Sequence, residues 1–271
     1  MAKKYTLPKV EELLEAGVHF GHQVKRRNPS MDKYIYSEDN KSHVINVFKT
    51  LENLEEACDF LYETAKSGGQ IVLVGTKRQS GALIEKYAKE AGILYVSQRW
   101  LGGTFTNYDS VKTKLKKLAD LIEGVEKGTF ASYTKKERLL IDREIEKLET
   151  FVGGIRELKR YPDAVVVVDI KREKTVVKEA AAVKVPVVAL VDTNSDPSGV
   201  DYVVPGNDDA IKSIEIFLKT ISDAIINGYK DNKPKKEEAS EAKVSKVSKK
   251  TDTKKKTPTK TNAKTKKVVK K

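Results

Sequence analysis

Three runs of consecutive aliphatic residues constrain this chain more than anything else in it: IVLVG at 71–75, AVVVVDI at 164–170 and VPVVALVD at 185–192. Side chains alternate across a strand, so a run that is apolar at both parities must be covered on both faces. Parallel strands meet that demand, and they need helical crossovers. Helix-patterned segments stand where those crossovers are required. TKRQSGALIEKYAKEAG follows the first run, and a helix through Val176, Val177, Ala180 and Val183 follows the second. ILYV at 93–96 and DYVVP at 201–205 read as two further strands, and Ile211, Ile214, Phe217, Leu218 and Ile221 share one face of a closing helix. The expected fold is α/β, a doubly wound parallel sheet with right-handed crossovers.

Ahead of the sheet, PKVEELLEAGVHFGH begins a short helix at Pro8 and stops it at Gly17. Lys25, Arg26 and Arg27 then precede Asn28-Pro29, a turn dipeptide that keeps the three bases on a loop. Residues 34–36 and 43–45 flank SEDNK and read as a β-hairpin, and Leu51, Leu54, Cys58, Leu61 and Ala65 mark an amphipathic helix.

The sheet pattern is interrupted between two glycine pairs, in RWLGGTFTN at 99–107 and FVGGI at 151–155. Between them Val111, Leu115, Leu118, Ile122 and Val125 recur at heptad spacing, as do Ile141, Ile145, Leu148 and Val152. Thr134 and Glu137 supply a capping box for the second helix. The expected product is an inserted antiparallel coiled-coil hairpin over residues 105–153, carried by an α/β domain built from 1–104 and 154–228. A single-seam pair of helices has little core of its own, so it needs the globular base or a partner. Trp100 reads as a core anchor where the arm leaves the sheet.

The formal charge of +13 points to a polyanion partner, but its distribution matters more than its size. Residues 229–271 hold 17 Lys against 5 acidic residues, which leaves 35 basic and 34 acidic groups in residues 1–228. Recognition by the body must therefore come from clustering. The tail lacks aromatic residues beyond Tyr229 and any apolar period; it is expected to be disordered and to attract polyanions without sequence choice. A single cysteine, Cys58, excludes an intramolecular disulfide, and its acidic neighbours Glu55, Glu56 and Asp59 disfavour a thiolate nucleophile. The N-terminal MAKKYTLPKV lacks the apolar core of a secretory signal, and no apolar run approaches the ~20 residues that span a bilayer. The expectation is a cytoplasmic protein without a membrane partner.

Nucleotide chemistry is the natural suspicion for such a sheet. After IVLVG the glycines are Gly75 and Gly81, which match neither a dinucleotide fingerprint nor a phosphate-binding loop. Lys77 and Arg78 nevertheless sit at a strand-to-helix turn, where cations join helix N-terminal amides to bind an anion, an RNA phosphate or a small ligand. Asp169, Asp192, Asp196 and Asp209 lie at or just past strand ends. They read either as Mg²⁺ ligands or, more simply, as caps and turns. His19 and His22 have no cysteine near them and read as packing residues rather than metal ligands. No Ser–His–Asp or Cys–His spacing argues for catalysis. The expectation is a non-enzyme with no cofactor and no metal; the alternative is a nucleotide- or Mg-dependent enzyme on a flavodoxin-like core.

The ordered set GVHFGHQ, VGTKR, RWLGGTFTN, TKKE, FVGGI, PDAVVVVD, VPVVALVDTNSDP and VDYVVPGNDDAI resembles the bacterial small-subunit ribosomal protein S-two family, over about residues 5–228. The resemblance implies a flavodoxin-like domain carrying a coiled-coil hairpin. It implies a structural constituent of the small (30S) ribosomal subunit, on the solvent side between head and body near the mRNA exit, supporting translation initiation. The implied partners are 16S rRNA, neighbouring small-subunit ribosomal proteins and the mRNA-recruiting ribosomal protein S-one. By position, the residues expected to contact rRNA are Lys25, Arg26, Arg27, Lys77, Arg78, Arg99, Asn107, Lys112, Lys114, Lys116 and Lys117. The tail departs from the family pattern, and no family role extends to residues 229–271.

Overall fold

The computed structural model of the chain describes residues 5–158 and 160–248, with side chains through Asn232. Its centre is a five-stranded, wholly parallel sheet made from β4 (Ile71–Val74), β5 (Leu94–Val96), β6 (Ala164–Val168), β7 (Val187–Val191) and β8 (Tyr202–Pro205). The spatial order is β5-β4-β6-β7-β8, so the chain starts at β4, steps outward once, then returns to build the other half. That is the flavodoxin-like order, whose direction reverses between β4 and β6.

The apolar runs do what their two-sided pattern demands. Ile71, Leu73, Val166, Val168, Val188, Leu190 and Val204 pack on one face against α2 (Val47–Lys66), α3 (Gly81–Ala91) and α7 (Ile211–Ser248). Val72, Val74, Val165, Val167, Val187, Ala189 and Val191 pack on the other against α6 (Lys174–Val183), Trp100, Phe105 and the root of the arm. Every residue of β4, β6 and β7 is buried. At roughly 1.5–3 kcal/mol for each fully buried Val, Leu or Ile, these strands alone supply a large share of the hydrophobic drive.

The helix α1 (Val10–Glu15) precedes the sheet. The hairpin expected from residues 34–36 and 43–45 is present as β2 (Ile35–Asp39) and β3 (Ser42–Ile45). Its two-residue turn holds both Asn40 and Lys41 at positive φ, the geometry that follows the twist of paired strands. A third strand, β1 (Phe20–Gln23), joins the far side of β3, giving the order β1-β3-β2. FGHQ has no strand pattern of its own; pairing with β3 imposes it.

The insertion is a helical hairpin of α4 (Tyr108–Glu126) and α5 (Lys135–Val152). Thr134 Oγ1 accepts from Glu137 N while the Glu137 carboxylate accepts from Thr134 N, the expected capping box. The seam is unevenly packed. Val111 and Val152 at its root and Leu118 midway along α4 are buried, Leu115, Ile122, Ile145 and Leu148 are partly buried, and Val125 near the tip is 47% exposed.

At the other end, α7 runs past Gly228, where the ordered body was expected to stop, to Ser248. Tyr229 is half-buried and donates from its hydroxyl to Gly69 O at 2.8 Å. Lys, Glu and Ala, which make up much of this stretch, are good helix formers, whereas Pro234 within it is not. The remainder of the lysine-rich tail, residues 249–271, lies outside the described residues.

Only one glycine of each bracketing pair is constrained. Gly103 has φ +88, whereas an added Cβ at Gly102 would meet nothing within 4 Å. At Gly154 an added Cβ would stand 2.3 Å from Tyr95 O and 2.9 Å from the Tyr95 ring, so the returning chain lies against the backbone of β5. Gly154→Ala should therefore cost about 1–3 kcal/mol by overpacking, while Gly102→Ala stays within about 0.5 kcal/mol. Urea unfolding followed by Trp100 fluorescence measures both; equal midpoints would refute the close approach.

Candidate nucleic-acid interface

Because every strand of the main sheet is parallel, every strand-to-helix turn emerges at one edge. Gly75 to Arg78 leave β4, Ser97 to Trp100 leave β5, Asp169 to Glu173 leave β6, Asp192 to Asn194 leave β7, and Gly206 to Asp209 leave β8. The basic loop joins the same edge. Asn28 N donates to Thr193 O at 2.9 Å and His22 N donates to Thr193 Oγ1 at 2.9 Å, which pins the loop onto the end of β7. Thr193 also fills the space that a side chain on Gly21 would need, with Cγ2 2.8 Å from an added Cβ.

The charges at this edge are sorted by depth. Lys25, Arg26, Arg27, Arg78 and Arg99 are exposed. Arg27 makes one exposed contact, with Asp32 at 3.3 Å. Two cations absent from the expected set, Lys171 and Arg172, are exposed beside them. Arg172 is tied to the turn after β4, its Nε donating to Thr76 Oγ1 at 3.0 Å. Their signal was available in the sequence, since KR directly follows the strand run AVVVVDI.

Lys77 is different from the outward cation that its turn position led us to expect. Its side chain is 14% exposed, and its ammonium lies 2.6 Å from Asp209 Oδ1, 2.8 Å from Asp208 Oδ1 and 3.5 Å from Asp169 Oδ2. Burial alone would lower its pKa, but the hydrogen bonds to Asp208 and Asp209 outweigh this and raise it. It serves as an internal counter-ion. His22 plays a similar part: Nδ1 lies 2.9 Å from Asp192 Oδ2 and Nε2 3.3 Å from Asp209 Oδ2. The Asp192 contact, with the surrounding aspartates and against the effect of burial, raises the imidazole pKa above its usual value. Asp208 is pushed up to about 7 by burial and by repulsion from Asp169 and Asp192, with Lys77 opposing.

Of the four aspartates singled out at strand ends, the structure gathers Asp169, Asp192 and Asp209, and adds Asp208. Asp196 is instead a turn residue whose Oδ1 accepts from Ser198 N at 3.0 Å. Asp169 holds φ +66, a conformation Asp tolerates better than most side chains, and its Oδ1 accepts from Arg172 N at 3.1 Å. At the switch point between β4 and β6, Thr76 N donates to Glu173 Oε1 at 3.2 Å. A nucleotide phosphate would need that amide, and a buried carboxylate already occupies it.

The other half of the candidate surface is the root of the arm. Asn107 is exposed at the N-terminal cap of α4, and its side chain makes no cap bond there. Lys112, Lys114, Lys116 and Lys117 are all exposed. Lys117 pairs across the hairpin with Glu144; among the described residues no ion pair engages the other three. The loop leading to α4 is held by Glu179 of α6, which is 7% exposed and accepts from Gly103 N at 2.8 Å, Phe105 N at 3.0 Å and Trp100 Nε1 at 3.3 Å. Trp100 packs edge-on against Phe105 with ring centroids 4.9 Å apart. Nothing in EAAAV marks its glutamate as buried; the signal lies only in the donors of a loop more than 70 residues away.

Cys58 is buried on α2, where burial first, then Asp59, Glu55 and Asp223, raises the thiol pKa. Among the described residues no helix is long and apolar enough to cross a membrane.

Glu179→Ala leaves three donors without their acceptor and should cost about 3 kcal/mol, with faster amide exchange at Gly103 and Phe105. Glu179→Gln, which keeps one acceptor oxygen, should cost less. Urea midpoints and exchange rates check this; an Ala variant as stable as the parent would remove Glu179 from its role.

The model of the family described as "Ribosomal protein S2" matches residues 13–228. A relative from Francisella philomiragia, described as small ribosomal subunit protein uS2, is 47% identical over 218 residues, which cover 80% of this chain and 91% of the relative. With a flavodoxin-like sheet, an inserted helical hairpin and a family match over most of its length, the chain belongs to the ribosomal protein S2 family.

Proposed function

We propose that this protein, a structural constituent of the small (30S) ribosomal subunit, acts in the cytoplasm and binds 16S rRNA along the carboxyl edge of its sheet and the root of its arm. The observation that carries the reading is charge sorting: in a body of 35 basic and 34 acidic groups, Lys25, Arg26, Arg27, Arg78, Arg99 and Arg172 are all exposed near one edge, while nearby carboxylates are buried or paired. Phosphate contact by such a row is electrostatic and positions the protein without reading bases. Asn107, Lys112, Lys114, Lys116 and Lys117 extend it onto α4. Lys77 supports the edge from beneath and does not touch RNA in this reading. The finer placement, between head and body on the solvent side beside neighbouring small-subunit proteins and the ribosomal protein S-one, rests on the family resemblance of the ordered motifs. An enzymatic reading has no observation in its favour.

Combining Arg78→Glu, Arg99→Glu and Arg172→Glu should weaken binding to 16S rRNA and lower the slope of log K against log salt by about one for each phosphate that is no longer neutralised. Lys77→Gln should lower thermal stability and leave that slope unchanged. Filter binding at several salt concentrations tests both, and an unchanged slope in the triple variant would overturn the edge as the interface. Deleting residues 249–271, which carry eleven lysines and one aspartate, should reduce the salt slope on unstructured RNA yet leave cosedimentation with small subunits intact. Loss of cosedimentation would make the tail a docking element.

A further inference from the structure

Among the exposed arginines of the carboxyl edge, Arg172 is held at both ends of its side chain. Its Nε donates to Thr76 Oγ1 at 3.0 Å, which links the turn after β6 to the turn after β4. Its backbone is fixed as well: Arg172 N donates to Asp169 Oδ1 at 3.1 Å, and Glu173 N donates to Asp169 O at 3.0 Å. Its neighbours differ. Among the described residues no side-chain hydrogen bond or ion pair holds Arg26, Arg78 or Arg99, and Arg27 has only its exposed contact with Asp32.

The polarity of this link is set from the interior. A threonine hydroxyl has one proton to donate, and Thr76 donates it to the carboxylate of buried Glu173, which also accepts from Thr76 N at 3.2 Å. The oxygen is thereby left as an acceptor for Arg172 Nε. A hydroxyl that donates to a carboxylate is polarised, and it accepts more strongly for that reason. With Nε engaged, the two terminal nitrogens of the guanidinium carry four further N–H donors on an exposed side chain, and among the described residues none of them has a partner.

We infer that Thr76 is a positioning residue for RNA binding: its hydroxyl, oriented by Glu173, holds the Arg172 guanidinium as a fixed fork that grips one backbone phosphate of 16S rRNA. The inference rests on the reading of this edge as the rRNA interface. A phosphate presents two unesterified oxygens, and the terminal nitrogens of a guanidinium match them in a bidentate pair. An arginine free in solvent gives up its rotamer freedom only when RNA arrives, whereas one held at Nε has given up much of it on folding. Lysine has no counterpart of Nε, so a lysine at this position would carry the charge without the orientation. Thr76 acts through Arg172 and does not itself touch RNA.

A double-mutant cycle in the full-length chain tests this, read by filter binding to 16S rRNA at several salt concentrations. Arg172→Ala should weaken binding about tenfold or more and lower the salt slope by about one. Thr76→Val keeps the shape and the backbone amide but loses the hydroxyl. It should weaken binding about two- to tenfold and leave the slope unchanged, because every cation is still present. Thr76→Ser should bind as the parent does, and Arg172→Lys should lose as much as Thr76→Val. In an Arg172→Ala background, Thr76→Val should have no further effect, whereas a residue that merely shaped the edge would go on weakening binding. Circular dichroism establishes that each variant is folded, and Thr76→Ala carries the cycle if Thr76→Val does not fold. Additive effects of the two substitutions, or parental binding by Thr76→Val, would overturn the inference and leave the interface standing. Full affinity in Arg172→Ala would remove Arg172 from the interface and the inference with it.

Discussion

The structure depends on a buried electrostatic arrangement at the carboxyl edge of the sheet, where Lys77 and His22 hold four aspartates together. The parallel fold creates the problem it solves. All strand-to-helix turns emerge on one side, and polar residues that cap helices and shape turns crowd there. Asp192 and Asp208 are almost fully removed from water, and isolated carboxylates at that depth would be prohibitively costly. Lys77 reaches three of the four aspartates and His22 reaches two, so turns from β4, β6, β7 and β8 are bound to one another through side chains as well as through the sheet.

That inner arrangement explains how a body of nearly zero net charge presents a basic rim. The aspartates are buried there or paired with Lys77 and His22, while the other arginines and lysines of the same turns are exposed. Exposed charges more than about 10 Å apart are largely screened at physiological salt, so what matters to a phosphate is the local row and not the total. Arg172, bonded to Thr76, and the Lys25 to Arg27 loop, bonded to Thr193, are carried on backbone that the sheet has already fixed. Part of the ordering entropy of an interface is thereby met in advance by folding.

The arm is governed by a different limit. Two helices with one seam bury little apolar area, and burial falls from Val111 and Val152 at the root to half-exposed Val125 toward the tip. The root is therefore continuous with the second hydrophobic face of the domain, through Trp100, Phe105 and Ile155. Glu179 fixes the departure of the arm and Gly154 fixes its return, one by hydrogen bonds and the other by close packing against β5. The orientation of the first turns of α4, and with them Asn107 and Lys112, follows from those two constraints.

Much of this was legible in the chain. Two-sided apolar runs dictated a parallel sheet, heptads dictated the hairpin, and Thr134 with Glu137 announced its capping box, because each signal is a pattern within a few turns or one strand. The exposed cations Lys25 to Arg27 and Arg99 were also readable, since a charged side chain stays in solvent unless a partner is brought to it. What the tertiary structure alone decided is which polar groups meet. Lys77 and Arg78 are adjacent cations, yet one is enclosed by aspartates and the other is exposed to solvent. His22 finds Asp192 and Asp209, Glu179 finds the amides of Gly103 and Phe105, and β1 forms only because β3 is there to pair with it. Periodicity reports which side of an element is apolar; it carries no record of partners a hundred residues away, and buried charge is stable only where such partners are brought to it.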